Sequence, residues 1–223
     1  MTPIRPQVYL GSRAPNFTAP SSQGPIEFYT YAANSWCLFF SHPAPFTPIC
    51  TTELGALAAL EPEFNARNCK LLGLSTSSPN DHTQWLQDIA HVTGYHVHFP
   101  LLSDQSRRVA STYGMIDLRH FDLQGRPIPI RAAYLVDPRR EVRLVHAYPI
   151  STGRNTAELL RALDALQAAD AFSHQLVTPV NWVPGDDAVV APEVSEDTAA
   201  RRFPNYRTLT PYLRLTPVDP DEL

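Results

Sequence analysis

Trp36, Cys37, Leu38, Phe39 and Phe40 form an unbroken apolar run. A short run that is apolar on both faces predicts a central strand, buried above and below, over residues 36–41. Residues 27–31 read as a preceding strand, separated from it by a turn around Asn34. After the proline-rich stretch from His42 to Pro48, Leu54, Leu57, Ala58 and Phe64 recur at helical spacing, so a helix is expected over 51–66, with Pro62 a site for a kink. Residues 70–75 form the next short buried strand. Residues 79–95 form a second helix, with Trp85, Ile89 and Val92 on one face and its end near Gly94. A third helix is expected over 103–113, capped by Ser103 and closed by Gly114. Two apolar runs, 131–136 and 142–148, flank Asp137-Pro138-Arg139-Arg140-Glu141 and predict a hairpin. Residues 153–172 form a long amphipathic helix with Leu159, Leu160, Leu163 and Leu166 inward.

Strand, helix, strand, then a hairpin and a final helix give an α/β architecture: a mixed central sheet flanked by helices, which fits a thioredoxin-like fold. Beyond Phe172 the chain is rich in Pro, Asp and Arg, and its apolar runs are short. The expected organisation is therefore a main domain over 1–172 and a small C-terminal extension over 173–223.

Composition narrows the function classes. A formal charge of -4 with 43% hydrophobic residues suggests neither disorder nor a nucleic-acid partner. No stretch has secretory or bilayer-spanning length, so a cytoplasmic protein with no membrane partner is expected. The 3 cysteines, Cys37, Cys50 and Cys69, form no CxxC pair and no Cys/His cluster at ligand spacing, which argues against a disulfide scaffold, a metal site and a thioredoxin-type oxidoreductase.

The informative segment is Ser41-His42-Pro43-Ala44-Pro45-Phe46-Thr47-Pro48-Ile49-Cys50-Thr51-Thr52-Glu53-Leu54. Thr47 can cap the helix and Pro48 suits its first position, which puts Cys50 in the first turn, where unpaired N–H groups and the positive end of the dipole favour a thiolate. A free thiol ionises near a pKa of about 8.5, and even full ionisation at neutral pH raises the thiolate fraction only roughly 30-fold. A thiolate nucleophile also needs donors for the charge that develops on the group it displaces. Thr47, the first-turn N–H groups and an arginine from elsewhere are the candidates.

The spacing of Pro43, Thr47 and Cys50 is the P-x-x-x-T-x-x-C signature of peroxiredoxins, and the string from His42 to Leu54 resembles their one-cysteine subgroup. Similar landmarks continue along the chain: Asp81-His82-Thr83-Gln84-Trp85, Tyr113-Gly114-Met115-Ile116-Asp117, Tyr148-Pro149, Thr152-Gly153-Arg154-Asn155, Thr178-Pro179-Val180-Asn181-Trp182 and Pro211-Tyr212-Leu213-Arg214-Leu215-Thr216-Pro217. The resemblance implies a thiol-dependent peroxidase acting on hydrogen peroxide or an alkyl hydroperoxide, without cofactor or metal. It makes Cys50 the attacking residue, Thr47 and Arg131 the groups that hold the peroxide, and Pro43 the shield of the thiolate. Glu53 and Arg154 match a supporting ionic shell, and His42 has a supporting role. It further implies a homodimer, with the extension in the interface and rings of dimers as a larger assembly.

No cysteine follows Cys69, so no resolving partner is expected, and the sulfenic acid should be reduced by an external thiol such as the thioredoxin or glutathione system, or by Cys37 or Cys69 only if the fold opens. A peroxide sensor or holdase using the same thiol is the alternative. Some relatives are also described as phospholipases with a serine in a G-x-S-x-G setting. Here Ala33-Asn34-Ser35-Trp36-Cys37 lacks both glycines and Tyr29 stands in place of the histidine, so no lipase activity is expected.

Overall fold

The computed structural model describes residues 8–219, which form two units dividing between Thr156 and Ala157. The first unit opens with β1 (Thr18–Ala19) and β2 (Ile26–Glu27), then a single turn of helix, α1 (Phe28–Tyr31). The strand expected over 27–31 is thus mostly helical. The Glu27 carboxylate accepts the N–H of Thr30 at 2.7 Å, and that cap turns the chain out of the extended conformation.

The central sheet follows: β3 (Trp36–Ser41), α2 (Pro48–Ala66), β4 (Cys69–Ser75), α3 (Pro79–Thr93) and β5 (Leu101–Ser103). Every residue of β3 is buried, as its unbroken apolar run requires. α2 starts at Pro48 and runs on through Pro62 to Ala66. α3 begins with a capping box between Ser78 and Asp81 and ends on Gly94 in the left-handed conformation, φ 76°. α2 and α3 approach closely, since a Cβ on Gly55 would lie 2.4 Å from Thr93 Cγ2. Val92, expected inward, is 66% exposed.

The third expected helix is shorter, α4 (Arg108–Thr112). Ser103 is the last residue of β5, paired with Ser75, and lies ahead of the helix start at Arg108, so it does not cap; its hydroxyl donates to the Ser77 carbonyl. The N-cap position falls on Arg107, at φ 62°, and the Asp104 carboxylate, upstream of it, accepts the N–H groups of Arg108 and Ala110 at 3.1 and 2.8 Å. A hairpin not anticipated from the sequence follows, β6 (Ile116–Phe121) and β7 (Pro127–Pro129). The expected hairpin is β8 (Arg131–Val136) and β9 (Val142–Tyr148).

The five-stranded sheet has the order β5-β4-β3-β8-β9, with β3 parallel to β4 and antiparallel to β8. On one face Phe39 joins Phe17, Phe28, Tyr113 and Tyr134 in an aromatic core, its ring 4.9 Å from that of Tyr113 in an edge-on contact. Phe40, on the opposite face, packs against Phe99 at 5.9 Å.

The second unit carries nearly all of α5 (Thr156–Ala171), then β10 (Leu176–Val177), β11 (Ala188–Val190), α6 (Glu196–Arg202), β12 (Arg207–Thr210) and β13 (Leu213–Thr216). Its antiparallel sheet, ordered β10-β11-β13-β12, closes over Leu176, Ala188, Val190, Ala199, Phe203 and Val218. Arg214 is buried there, donating to the carbonyls of Ala191 and Val194.

Candidate active site

Cys50 is the third residue of α2 and fully buried. The chain reaches it through Pro43, which is buried, and Phe46, held at φ 57° in the left-handed region. Thr47 occupies the N-cap position, but its side chain does not cap. Its hydroxyl donates to the Ala44 carbonyl at 3.0 Å. The hydroxyl proton is thereby committed and the lone pairs remain, so Thr47 can accept a hydrogen bond from a hydroperoxide rather than donate one. The first-turn N–H groups, which an α-helix leaves without intrahelical partners, stay uncapped by Thr47 beside the sulfur.

Arg131, the first residue of β8, brings Nη1 to 3.3 Å from Cys50 Sγ. Its orientation is fixed from two sides. Nη1 also donates to Glu53 Oε2 at 2.7 Å, while Nε and Nη2 both donate to the Ile150 carbonyl at 2.9 and 2.8 Å. Glu53 lies three residues beyond Cys50, one helical turn along the same face. Arg154 meets that carboxylate through its backbone N, Nε and Nη2 at 2.8, 3.0 and 3.0 Å. Its Nη1 donates to the Ser41 and Ala132 carbonyls, and its guanidinium lies 5.0 Å from the Phe40 ring centroid.

The side chains of Glu53, Arg131 and Arg154 are almost wholly buried. Burial pulls the Arg154 guanidinium down from its usual value, and Glu53 opposes that. Two guanidinium groups and one carboxylate leave one positive charge in excess in a dry site, and a Cys50 thiolate makes the set neutral. Such an arrangement can hold a nucleophilic sulfur and offer donors to an anionic leaving oxygen without a metal ion. Among the described residues no group of ligands could hold a metal.

Six of the seven candidate residues come together through this chain of contacts or in the loop that delivers it: Cys50, Thr47, Arg131, Pro43, Glu53 and Arg154. His42 stands apart. Neither of its ring nitrogens has a partner of hydrogen-bonding geometry, and the ring packs 5.2 Å from Trp85 and 5.9 Å from His82. Burial, then the neighbouring His82 and the two arginines, push it well below the usual imidazole range, which favours the uncharged ring. The Ile150 carbonyl was invisible to sequence reading, because every residue carries one. So was the anchor behind the thiol: Trp85 Nε1 donates to Thr51 Oγ1 at 3.0 Å, and Thr51 Oγ1 donates to the Thr47 carbonyl at 2.9 Å.

The other two thiols are remote. The strand register pairs Trp36 with Cys69 and Cys37 with Lys70, so Cys37 and Cys69 project from opposite faces of the sheet. Arg131 lies past the Phe40–Ala133 pair, at the other end of the strands. At about 3.3 Å per residue the two ends are on the order of 15 Å apart. Burial pushes the Cys37 thiol well up and that of Cys69 up to about 12. Ser35 Oγ is buried without a hydrogen-bond partner, and the Tyr29 hydroxyl donates to the Ala14 carbonyl.

Comparison with known proteins agrees with this geometry. Residues 10–145 match the AhpC/TSA family, and residues 165–205 match the C-terminal domain of 1-Cys peroxiredoxin. The chain is 44% identical to the mitochondrial peroxiredoxin PRX1 of Saccharomyces cerevisiae over 95% of its own length and 82% of the relative's. It is 40% identical to a 1-Cys peroxiredoxin of Dictyostelium discoideum, over 97% and 88%. Among solved structures, a cysteine-to-serine mutant of peroxiredoxin 6 of Arenicola marina superposes with a TM-score of 0.89 at 38% identity, covering 94% of this chain and 98% of that one. A yeast mitochondrial 1-Cys peroxiredoxin gives 0.85 at 42% identity, covering 95% and 100%. A buried thiol at a helix N-terminus, an arginine against its sulfur and full-length likeness to these proteins lead to one conclusion: the chain belongs to the peroxiredoxin family, in its one-cysteine subgroup, and is a thiol-dependent peroxidase.

Proposed function

We propose that Cys50 is the peroxidatic residue and that Arg131 and Thr47 share its chemistry. The Cys50 thiolate attacks the terminal oxygen of a hydroperoxide. The S–O bond forms as the O–O bond breaks, and the electron pair leaves on the distal oxygen, which takes a proton to become water or an alcohol. Arg131 supports the sulfur and the departing oxygen together, the first-turn N–H groups supply further donors, and Thr47 accepts from the peroxide O–H. Pro43 keeps water from the thiolate. Glu53 and Arg154 hold Arg131 in place. The observation that carries this reading is the 3.3 Å approach of Arg131 Nη1 to Cys50 Sγ, with the same nitrogen tied to Glu53 and the Nε–Nη2 edge tied to Ile150.

The sulfenic acid so formed condenses with an external thiol, releasing water, and a second thiol frees Cys50 as a new disulfide leaves. The positions of Cys37 and Cys69 support an external donor. So does the yeast mitochondrial 1-Cys relative, whose structure is described as the basis of thiol resolving via glutathione/thioredoxin systems. The assembly proposed is a homodimer with the C-terminal unit contributing to the interface. The exposed apolar side chains there, Val180, Leu209 and Tyr212, support it.

The test is the second-order rate of Cys50 oxidation by hydrogen peroxide. Arg131→Ala should slow it roughly 100- to 1,000-fold, the usual cost of one lost oxyanion donor. A variant as fast as the parent would remove Arg131 from the mechanism.

A further inference from the structure

The ladder between β3 and β8 runs from the Cys37–Val136 pair to the Phe40–Ala133 pair and stops there. The next residue, Ser41, is fully buried at the end of an otherwise apolar strand. Its hydroxyl continues the pairing that the backbone gives up. Oγ accepts the N–H of Ala132 at 3.2 Å and donates to the Ile130 carbonyl at 2.7 Å. Those groups belong to the two peptides on either side of Arg131. Where the backbones part, Arg154 Nη1 sits between the carbonyls of Ser41 and Ala132, at 3.0 and 2.9 Å.

We infer that Ser41 is a positioning residue for the peroxidase reaction: by gripping both peptides that flank Arg131, its hydroxyl sets where the Arg131 guanidinium meets the Cys50 sulfur. This rests on the role proposed for Arg131. The Ile150 and Glu53 contacts fix the far end of the side chain, whereas Ser41 fixes its root, and both must be right for Nη1 to stand against the sulfur. Removing the hydroxyl takes this partner from the buried N–H of Ala132 and the partly buried carbonyl of Ile130, which the strand relieves by moving. Catalysis is sensitive to such movement, since a displacement of about 1 Å can cost on the order of 100-fold in rate.

The experiment is a mutant cycle on the full chain, with the rate of Cys50 oxidation by hydrogen peroxide as readout and a thermal melt to establish that each variant is folded. Ser41→Ala should be roughly tenfold slower than the parent, and Ser41→Thr, which keeps the hydroxyl, should recover to within about threefold. Ser41→Val has the shape of the threonine variant without its hydroxyl. It should be as slow as Ser41→Ala and stands in for it if the alanine variant does not fold. In an Arg131→Ala background, removal of the hydroxyl should change the rate by less than about twofold, because two residues acting through one contact are not additive. A parental rate in Ser41→Ala, or the same tenfold loss with Arg131 already absent, would overturn the inference. If Arg131→Ala alone kept the parental rate, the role of Arg131 would fail, which is a separate result.

Discussion

Glu53 is where both guanidinium groups converge, and it sits in the structure by simple arithmetic: three residues after Cys50 on one helix, so that sulfur and carboxylate share a face. Replacing it by glutamine keeps the shape but leaves two buried cations against a neutral amide. Glu53→Gln should destabilise the protein by about 3 kcal/mol, as breaking a buried ion pair does, and should slow peroxide reduction as well. Urea unfolding and the oxidation rate measure the two effects. Unchanged stability would mean that the ionic shell is not coupled to the fold. At this scale much of the site was legible. The spacing of Pro43, Thr47 and Cys50 carried the resemblance to the family, and that resemblance pointed to Arg131, which the structure brings against Cys50. The direction of the Thr47 hydroxyl was not legible, because a threonine at an N-cap can bond forward to the helix or back to its own loop, and here it bonds back to Ala44. His42 was not legible either, because tertiary packing against Trp85 and His82, not its neighbours in sequence, decides its state.

At the scale of elements, long periodic or unbroken apolar segments were read correctly, and short polar ones were not. β3, α2 and β8 follow their hydrophobic patterns, and α3 and β9 do so in part, with Val92 and Val145 exposed. β6 does not, because it runs against its own pattern: Asp117 is buried, bonded to Arg119 and His120, while Leu118 is 70% exposed. The start of α4 moved from Ser103 to Arg108, with Arg107 at the N-cap position, because Ser103 was already used by the sheet. The docking of α3 carries a pH signature. His82 is fully buried, its Nε2 2.7 Å from Ser75 Oγ, and burial lowers its pKa from 6.5 to about 4. The unfolded chain therefore binds a proton that the folded protein refuses across that interval, and stability must fall as pH falls from about 6.5 to about 4. The loss attributable to His82 is on the order of 3 kcal/mol, and His42 adds to it with the same sign. Unfolding free energies measured at several pH values should show this slope, and His82→Gln should flatten it. An equal slope in the variant would assign the acid sensitivity elsewhere.

For the whole molecule, the sequence conveyed an α/β domain and a distinct tail, but short apolar runs concealed that the tail builds a four-stranded sheet with its own small core. The change of composition near residue 173 and the division at Thr156 differ because the first follows amino-acid usage and the second follows packing. The proposed homodimer predicts a sedimentation mass twice the 24.9 kDa of the chain. Replacing Leu209 and Tyr212 together by aspartate should weaken association about tenfold or more, as loss of exposed apolar anchors at an interface does. A monomer at micromolar concentration would contradict the assembly. The proposed chemistry falls on one thiol of three, since Cys37 and Cys69 lie at the far end of the sheet from Arg131, on opposite faces. The most direct measurement is to treat the folded protein with one equivalent of hydrogen peroxide in the presence of dimedone, which traps sulfenic acid, and to map the adduct by peptide mass spectrometry. The adduct should fall on Cys50, with Cys37 and Cys69 unlabelled and no adduct in Cys50→Ser. Labelling of Cys37 or Cys69 in the parent, or peroxide consumption undiminished in Cys50→Ser, would contradict the assignment of Cys50 as the residue that attacks peroxide.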